Sequence, residues 1–285
     1  MYLFYQIGFI LVGNLPLEIS YKFAETIAYV YYLLAGKDKQ GLRSNLKIVL
    51  GPDAAAGIVE KYVLDVFRNF AKYLVDFFKM PRLTEKYIRE HIKIKGREYL
   101  DRCLSEGKGA VIVSLHIGNW ELGGAVIGGL GYPVTAIVLE HADKKIRDFF
   151  LRQRVINGLV SIPLGAQVKE CFNVLKRNEF LAIVGDKDYT SNGIDVDFFG
   201  KKAVMPRGPA VFSLRTGAPV VCCVTLREKD DSFSVVFSEP IRYEKIGDTE
   251  KDIRGLMGIY IREFERVIKK YPGQWYVFRR LWEQE

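Results

Sequence analysis

Two short runs of the chain are apolar almost without a break: Ala110-Val111-Ile112-Val113-Ser114-Leu115 and Val220-Val221-Cys222-Cys223-Val224. A strand with one face in water alternates apolar and polar side chains, so a continuous apolar run has to be buried on both faces. Strands of that kind belong to parallel sheets covered by helices on each side. The spacing predicts further strands over 92–95, 134–139, 159–162, 180–184 and 233–237. Between and after them it predicts helices over 97–105, 120–129, 144–157, 166–176, 206–216 and 249–270. Alternating strands and helices imply parallel crossovers, and therefore an α/β fold with a mostly parallel central sheet flanked by helices. A longer helix over 53–78 comes first, apolar at Ile58, Tyr62, Val66, Phe70, Tyr73 and Phe77. Pro52 suits its first turn and Met80-Pro81 its stop.

The 285 residues contain no Pro/Gly/Ser linker and no break in composition, which favours one domain over 51–285 with an N-terminal attachment over 1–50. The attachment is unusual. Residues 1–13 are strongly apolar and aromatic with no Lys or Arg before them, unlike the basic start of a signal peptide. A second apolar stretch over 17–35 is interrupted by Glu18, Lys22 and Glu25. Neither gives the run of about 20 apolar residues that a spanning helix needs. Lys37, Lys39, Arg43 and Lys47 follow. An amphipathic, aromatic stretch leading into a basic one reads as an N-terminal helical membrane-associating segment; the alternative is a helical hairpin packed on the domain. The net charge of +8, from 42 basic against 34 acidic residues, attracts phosphate of any origin. No clustered basic-aromatic motif of the nucleic-acid-binding kind accompanies it. Cys103, Cys171, Cys222 and Cys223 form no CxxC pair, which fits reduced core thiols and neither a disulfide frame nor a zinc site.

The chemistry-bearing residues gather at the strand ends. His116-Ile117-Gly118-Asn119-Trp120-Glu121 follows the first apolar run, at the end of a strand where open α/β sheets place their sites. His116 is a candidate general base, and Glu121 a carboxylate that can fix its tautomer. Gly118 permits a tight turn and Asn119 is a good helix N-cap. His91 and His141 are the remaining histidines and neither is near in sequence, so no metal site is expected on His116. There is no G-x-S-x-G elbow and Ser114 lies within a strand, so no serine nucleophile is expected either. Gly185-Asp186-Lys187-Asp188-Tyr189 ends another strand in alternating charges, offering either polar contacts to substrate or a solvated loop. Phe198-Phe199 runs into a Gly turn as core or as the wall of an apolar slot. Arg207 opens a helix, where a cation is disfavoured unless an anion binds or the side chain faces water. Arg154 can steady an anionic intermediate, or sit on a solvated helix face.

Together these residues resemble the late acyltransferases of lipid A biosynthesis and the related bacterial phosphatidylinositol-mannoside acyltransferases, within the glycerolipid acyltransferase superfamily. The stretch from His116 to Glu121 resembles their H-x4-D/E box in its HxGNWE form. Gly185-Asp186-Lys187-Asp188 with Val196-Asp197-Phe198-Phe199-Gly200 is similar to the D-[QR]-D and V-x-FFG boxes. Gly208-Pro209-Ala210 with Thr216-Gly217-Ala218-Pro219-Val220 is similar to GPA and TGAPV, Arg43-Ser44-Asn45-Leu46 to RxNL, and Pro272-Gly273-Gln274-Trp275 to PxQW. The boxes run in the expected order over 43–282.

The resemblance implies an O-acyltransferase that moves a fatty acyl chain from a thioester of acyl carrier protein or coenzyme A to a hydroxyl of a membrane glycolipid similar to a lipid A precursor. Transfer would be direct, without an acyl-enzyme, bound cofactor or metal. His116 would be the base and Glu121 its orienter. Arg154 or backbone N–H groups around Gly118 and Asn119 would meet the oxyanion. Asp186, Asp188, Glu140 and Arg207 would contact substrate, and Trp120, Phe198 and Phe199 would line the acyl slot. The setting implied is the cytoplasmic face of the inner membrane, reached peripherally or through the N-terminal anchor, with no nucleic-acid partner. One departure matters: the PEGT-type phosphate box of enzymes acting on glycerol phosphates is missing, and Asp186-Lys187-Asp188 stands roughly in its place. That disfavours a simple lysophosphatidate acceptor, and the stretch through Thr190 and Gly193 looks closer to the mannoside branch. The alternatives are a lysophospholipid acyltransferase of phospholipid synthesis and a non-catalytic basic protein that binds anionic lipid.

Overall fold

The computed structural model describes residues 8–9, 12–80, 83–165 and 167–282. Seven strands form its central sheet, in the spatial order β1 (Ile92–Lys95), β9 (Phe233–Phe237), β8 (Val220–Arg227), β2 (Ala110–Ser114), β5 (Phe180–Val184), β3 (Val134–Val138) and β4 (Val160–Pro163). Every pairing in it is parallel except β8 with β9. The strand positions agree with those predicted from apolar periodicity, and the central pair shows why. β8 is buried at all eight positions and β2 at its first four, so no alternation is possible. Successive side chains instead enter two different cores. Val111, Val113, Val220 and Cys222 join the core under α8 (Val168–Lys176), α9 (Gly208–Thr216) and α10 (Thr249–Lys270). Ala110, Ile112, Val221 and Cys223 join the core under α5 (Arg97–Ser105) and α6 (Trp120–Gly129).

The N-terminal part folds as α1 (Leu17–Leu34), α2 (Gly36–Leu50) and α3 (Ala56–Lys79), with α1 and α2 both packed on α3. The expected long helix therefore begins at Ala56 rather than near Asp53, because residues 52–53 form a turn. Residues 1–7, 10 and 11 of the first apolar stretch lie outside the described residues. No described helix is long and apolar enough to cross a membrane. The boundary expected at 50/51 falls at the end of α2, and helices on both sides of it share one apolar cluster that contains Leu42, Leu46, Val59, Val63 and Phe67.

α2 is also bound to the far end of the chain. The Asn45 side-chain amide donates to the carbonyls of Val277 and Arg279, at 2.8 Å each, and its oxygen accepts from the Leu281 N–H at 2.9 Å. Gly41 lets the two segments touch: a Cβ there would lie 2.0 Å from the Phe278 carbonyl oxygen.

A short helix and a hairpin of two strands were not anticipated. α4 (Glu85–His91) is a short helix capped by Thr84, whose hydroxyl accepts from the Tyr87 N–H. Residues 194–205 form a β-hairpin, β6 (Ile194–Phe198) against β7 (Lys201–Met205), instead of a loop. Phe199 and Gly200 make its two-residue turn with φ of 53° and 71°, the left-handed pair that matches strand twist. α7 (Lys144–Ile156), which follows β3, completes the elements around the site.

Candidate active site

β2 and β5 are neighbours, with Ser114 in register with Val184. Two residues beyond that pair, on the same strand ends, stand His116 and Asp186. Asp186 Oδ1 lies 2.7 Å from His116 Nδ1, and Oδ2 accepts from the His116 backbone N–H at 3.0 Å. The Trp275 indole N–H donates to Oδ2 at 3.0 Å. Asp186 is fully buried, which alone would push its carboxyl up. The adjacent His116 and the hydrogen bonds from His116 and Trp275 outweigh burial and hold the carboxyl below the usual carboxylate range. With Nδ1 facing Asp186, Nε2 is the ring nitrogen left for a substrate.

The turn that carries His116 is fixed on every side. Gly118, at φ 57°, donates its N–H to the Gln274 carbonyl at 2.9 Å, and the Asn119 N–H donates to the Thr225 carbonyl at 2.9 Å. A Cβ on Gly118 would fall 1.9 Å from that same Thr225 oxygen, so only glycine fits. The His116 carbonyl accepts from the Tyr276 N–H at 2.8 Å. Asn119 caps α6 as expected, accepting from the Leu122 N–H at 2.9 Å. Its side-chain amide donates to Asp76 at 3.2 Å. The backbone N–H groups of Gly118 and Asn119 are thus committed to carbonyls. Neither is free to meet an oxyanion, contrary to the expectation from sequence.

Glu121 does not reach His116. It faces Arg154 on α7, accepting from Nε at 3.0 Å and from Nη2 at 2.5 Å, and both side chains are buried. Helix geometry explains this. Successive residues project about 100° apart around the axis, and it is Trp120 that turns toward the histidine, with ring centroids 5.0 Å apart. Trp120 is held there by Tyr73, stacked at 4.5 Å. Glu121 is rotated on toward α7. The carboxylate on His116 is therefore Asp186, not Glu121.

A cavity of about 540 Å³ opens beside His116, a size in the usual range for small-molecule sites, about 300–1,000 Å³. His116, Trp120, Glu121, Arg154 and Asp188 are among the residues that line it. Much of the rest of its lining is apolar, including Ile127, Ala136, Val138, Leu159, Leu164 and Ala182. The remaining expected contacts fall elsewhere. Glu140 is exposed and 3.8 Å from Arg147, and Arg207 pairs with Glu250 at 2.6 Å; neither lines the cavity. Asp188 uses its carboxylate to shape its own loop, accepting from the Thr190 hydroxyl at 2.7 Å and the Gly193 N–H at 2.9 Å. Phe198 and Phe199 do not border the cavity either. Phe198 is fully buried, stacked on Trp282 at 5.5 Å and edge-on to Trp275 at 6.1 Å. The FFG turn thus supports Trp275, which holds Asp186. Arg154 does line the cavity, but with its charge opposed by Glu121.

Thiol chemistry has no place here. All four cysteines are buried, and burial pushes Cys103 up to about 11 and Cys222 and Cys223 up to about 12. Sequence reasoning gave no role to Trp275, although it had singled out the box that contains it. It missed Asp76 and Arg227 altogether. Behind the site, buried Asp76 accepts from the Tyr21 hydroxyl, from Asn119 and from Arg227. This joins α1 to the N-cap of α6.

Three comparisons bear on these residues. The sequence profile described as "Bacterial lipid A biosynthesis acyltransferase" matches residues 1–284. A phosphatidylinositol mannoside acyltransferase from Mycobacterium tuberculosis (strain ATCC 25618 / H37Rv) is 26% identical over 287 residues, covering 98% of this chain and 87% of that protein. A lipid A biosynthesis palmitoleoyltransferase from Escherichia coli (strain K12) is 26% identical over 200 residues, covering 70% of this chain and 64% of that protein. Among solved structures, the 1-acyl-sn-glycerophosphate acyltransferase from Thermotoga maritima aligns with a TM-score of 0.41 at 13% identity, over 91% of this chain and 99% of that one.

Proposed function

Since this chain belongs to the bacterial lipid A biosynthesis acyltransferase family, we propose that it moves a fatty acyl chain from a thioester to a hydroxyl of a membrane glycolipid. The observation that carries this reading is a histidine backed by a buried carboxylate beside a cavity with a largely apolar lining. The apolar wall suits an alkyl chain, and His116 stands where the chain's carbonyl end would lie. The acceptor hydroxyl gives its proton to His116 Nε2 as its oxygen bonds to the thioester carbonyl carbon. Asp186 stabilises the imidazolium. The tetrahedral intermediate then collapses, the C–S bond breaks, and the imidazolium proton goes to the departing thiolate. Ester and free thiol are the products, with no covalent enzyme intermediate. The donor is the thioester of acyl carrier protein or of coenzyme A.

The working position is the cytoplasmic surface of the inner membrane. α1 supports this, because it leaves Ile19, Phe23, Ile27, Val30 and Leu34 exposed, a set spaced three or four residues apart on one helix.

The test is a labelled acyl-transfer assay with both donors and a bacterial lipid extract as acceptor, followed by mass analysis of the product. Wild type should acylate a glycolipid, and His116→Ala should lose about 10²–10⁴-fold in rate while keeping a folded circular-dichroism spectrum. Full activity in His116→Ala would overturn the mechanism, and acylation of lysophospholipid alone would overturn the acceptor.

A further inference from the structure

Most charged side chains around the cavity already have partners. Arg154, which lines it, is paired with Glu121, and outside the lining Arg207 is paired with Glu250 and Arg147 with Glu140. Asp186 is spent on His116 and Trp275, Asp188 on its own loop, and Asp38 at the rim accepts from the Tyr31 hydroxyl at 2.7 Å. Two cations that line the same cavity differ. Lys187 and Arg279 have no ion-pair partner among the described residues.

Their placement is tied to the base. Lys187 directly follows Asp186. Its ammonium lies 4.7 Å from the Tyr189 ring centroid, and that ring is 6.3 Å from the His116 imidazole. Arg279 stands three residues past Tyr276, whose N–H holds the His116 carbonyl, and its own carbonyl is fixed by Asn45. Burial, and then the positive charge of Arg279, push the Lys187 ammonium below its usual range, against the pull of Asp186. Lys187 is half-buried and Arg279 exposed at the same cavity, so an anion bound between them would meet two positive charges that no carboxylate in an ion pair offsets.

We propose that Lys187 and Arg279 form a phosphate subsite at the cavity rim, which anchors a substrate's phosphomonoester or phosphodiester while its reacting end reaches His116. The inference rests on the acyl-transfer reading and deepens it. Each of the two substrates can carry that chemistry, the acceptor in its headgroup and the donor in the phosphopantetheine arm common to carrier protein and coenzyme A.

The test uses Lys187→Gln, Arg279→Gln and the double variant in the full chain, with Lys187→Arg as the conservative rescue. Donor is varied at saturating acceptor, then the reverse. The loss should fall on KM rather than kcat, at about tenfold for each charge removed, and on the substrate whose phosphate binds. Acyl-pantetheine, which lacks the donor phosphate, separates the sources. If the donor phosphate is the ligand, wild type prefers acyl-coenzyme A to acyl-pantetheine and the double variant loses that preference. If the acceptor phosphate is the ligand, the KM for acceptor rises alone. Lys187→Arg should keep the wild-type KM. An active double variant with both KM values unchanged would overturn the subsite and leave the acyl-transfer reading intact.

A second readout needs no turnover. Pyrophosphate should protect Lys187 from acetylation by acetic anhydride, read by peptide mass spectrometry, and Arg279→Gln should abolish the protection. Equal labelling of wild type with and without pyrophosphate would overturn the subsite even in a chain that transferred no acyl group.

Discussion

The Asp186 carboxylate grips His116 at two points, ring and backbone, with Oδ1 2.7 Å from Nδ1 and Oδ2 3.0 Å from the main-chain nitrogen. One contact selects the tautomer and the other fixes the turn that carries the ring. Replacement by Asn keeps the volume and removes the charge that stabilises an imidazolium. Asp186→Asn should therefore lower kcat by about 10²–10⁴-fold with little change in KM, measured by steady-state acyl transfer. A kcat within a factor of about three of wild type would show that the imidazolium needs no such support.

The same carboxyl should shape the acid limb of stability. In the folded chain it titrates below the usual carboxylate range, whereas in the unfolded chain it titrates near pH ~3.9. A depressed folded-state value stabilises the fold above the unfolded pKa, and that contribution is lost as pH falls through the folded value. Urea midpoints taken from about pH 6 to about pH 2 should thus fall more steeply for wild type than for Asp186→Asn. Parallel curves would contradict the assignment.

The pairing of His116 with Asp186 illustrates what the sequence could and could not reveal. The two residues are 70 positions apart. Both strand ends were legible, because an unbroken apolar run has few other places to go. Strand order was not, and only the adjacency of β2 and β5 brings 116 and 186 level. Glu121 was the nearer carboxylate in sequence, but a helix begins between it and the histidine and turns it away. The β6–β7 hairpin carried a readable signal, Ile194-Asp195-Val196-Asp197-Phe198 alternating with period two. Its Asp residues and the preceding Asn192-Gly193 made it look like a loop. Trp275 and Asn45 were visible as motif residues without a role. Their role is to bind the C-terminal segment to α2 and to the His116 turn, a relation between distant segments that no local pattern records.

Asp76 and Arg227 form the buried ion pair behind the site, with side chains 8% and 5% exposed. A buried charge stripped of its partner is far costlier than the pair is worth. Asp76→Ala leaves buried Arg227 only the more exposed Asp231, at 3.4 Å, as a counter-charge, and also removes the acceptor used by Tyr21 and Asn119. It should cost about 3–5 kcal/mol in urea unfolding. The double variant Asp76→Leu, Arg227→Met should recover much of that loss, because an apolar pair leaves no charge unpaired. A double variant as unstable as Asp76→Ala would mean that the Tyr21 and Asn119 contacts, and not the stranded charge, dominate.

The exposed face of α1 gives the prediction most directly tied to location. Phe23 and Ile27 are 55% and 53% exposed and lie one helical turn apart. The opposite face of the helix is packed, with Tyr21, Ala24 and Ala28 buried. Substituting the outer face therefore leaves the core alone. Phe23→Glu with Ile27→Glu places two carboxylates where the helix would meet acyl chains, and each also opposes the negative surface of an anionic membrane. Sedimentation with vesicles of mixed phosphatidylglycerol and phosphatidylethanolamine should fall by about tenfold or more, since losing a few kcal/mol of apolar burial is worth at least that factor. The melting temperature should stay within about 2 °C of wild type, as surface changes usually cost under about 0.5 kcal/mol. Activity toward a detergent-dispersed acceptor should survive while activity toward the same lipid in vesicles drops. Unchanged vesicle binding in the double variant would remove α1 as the membrane-facing surface.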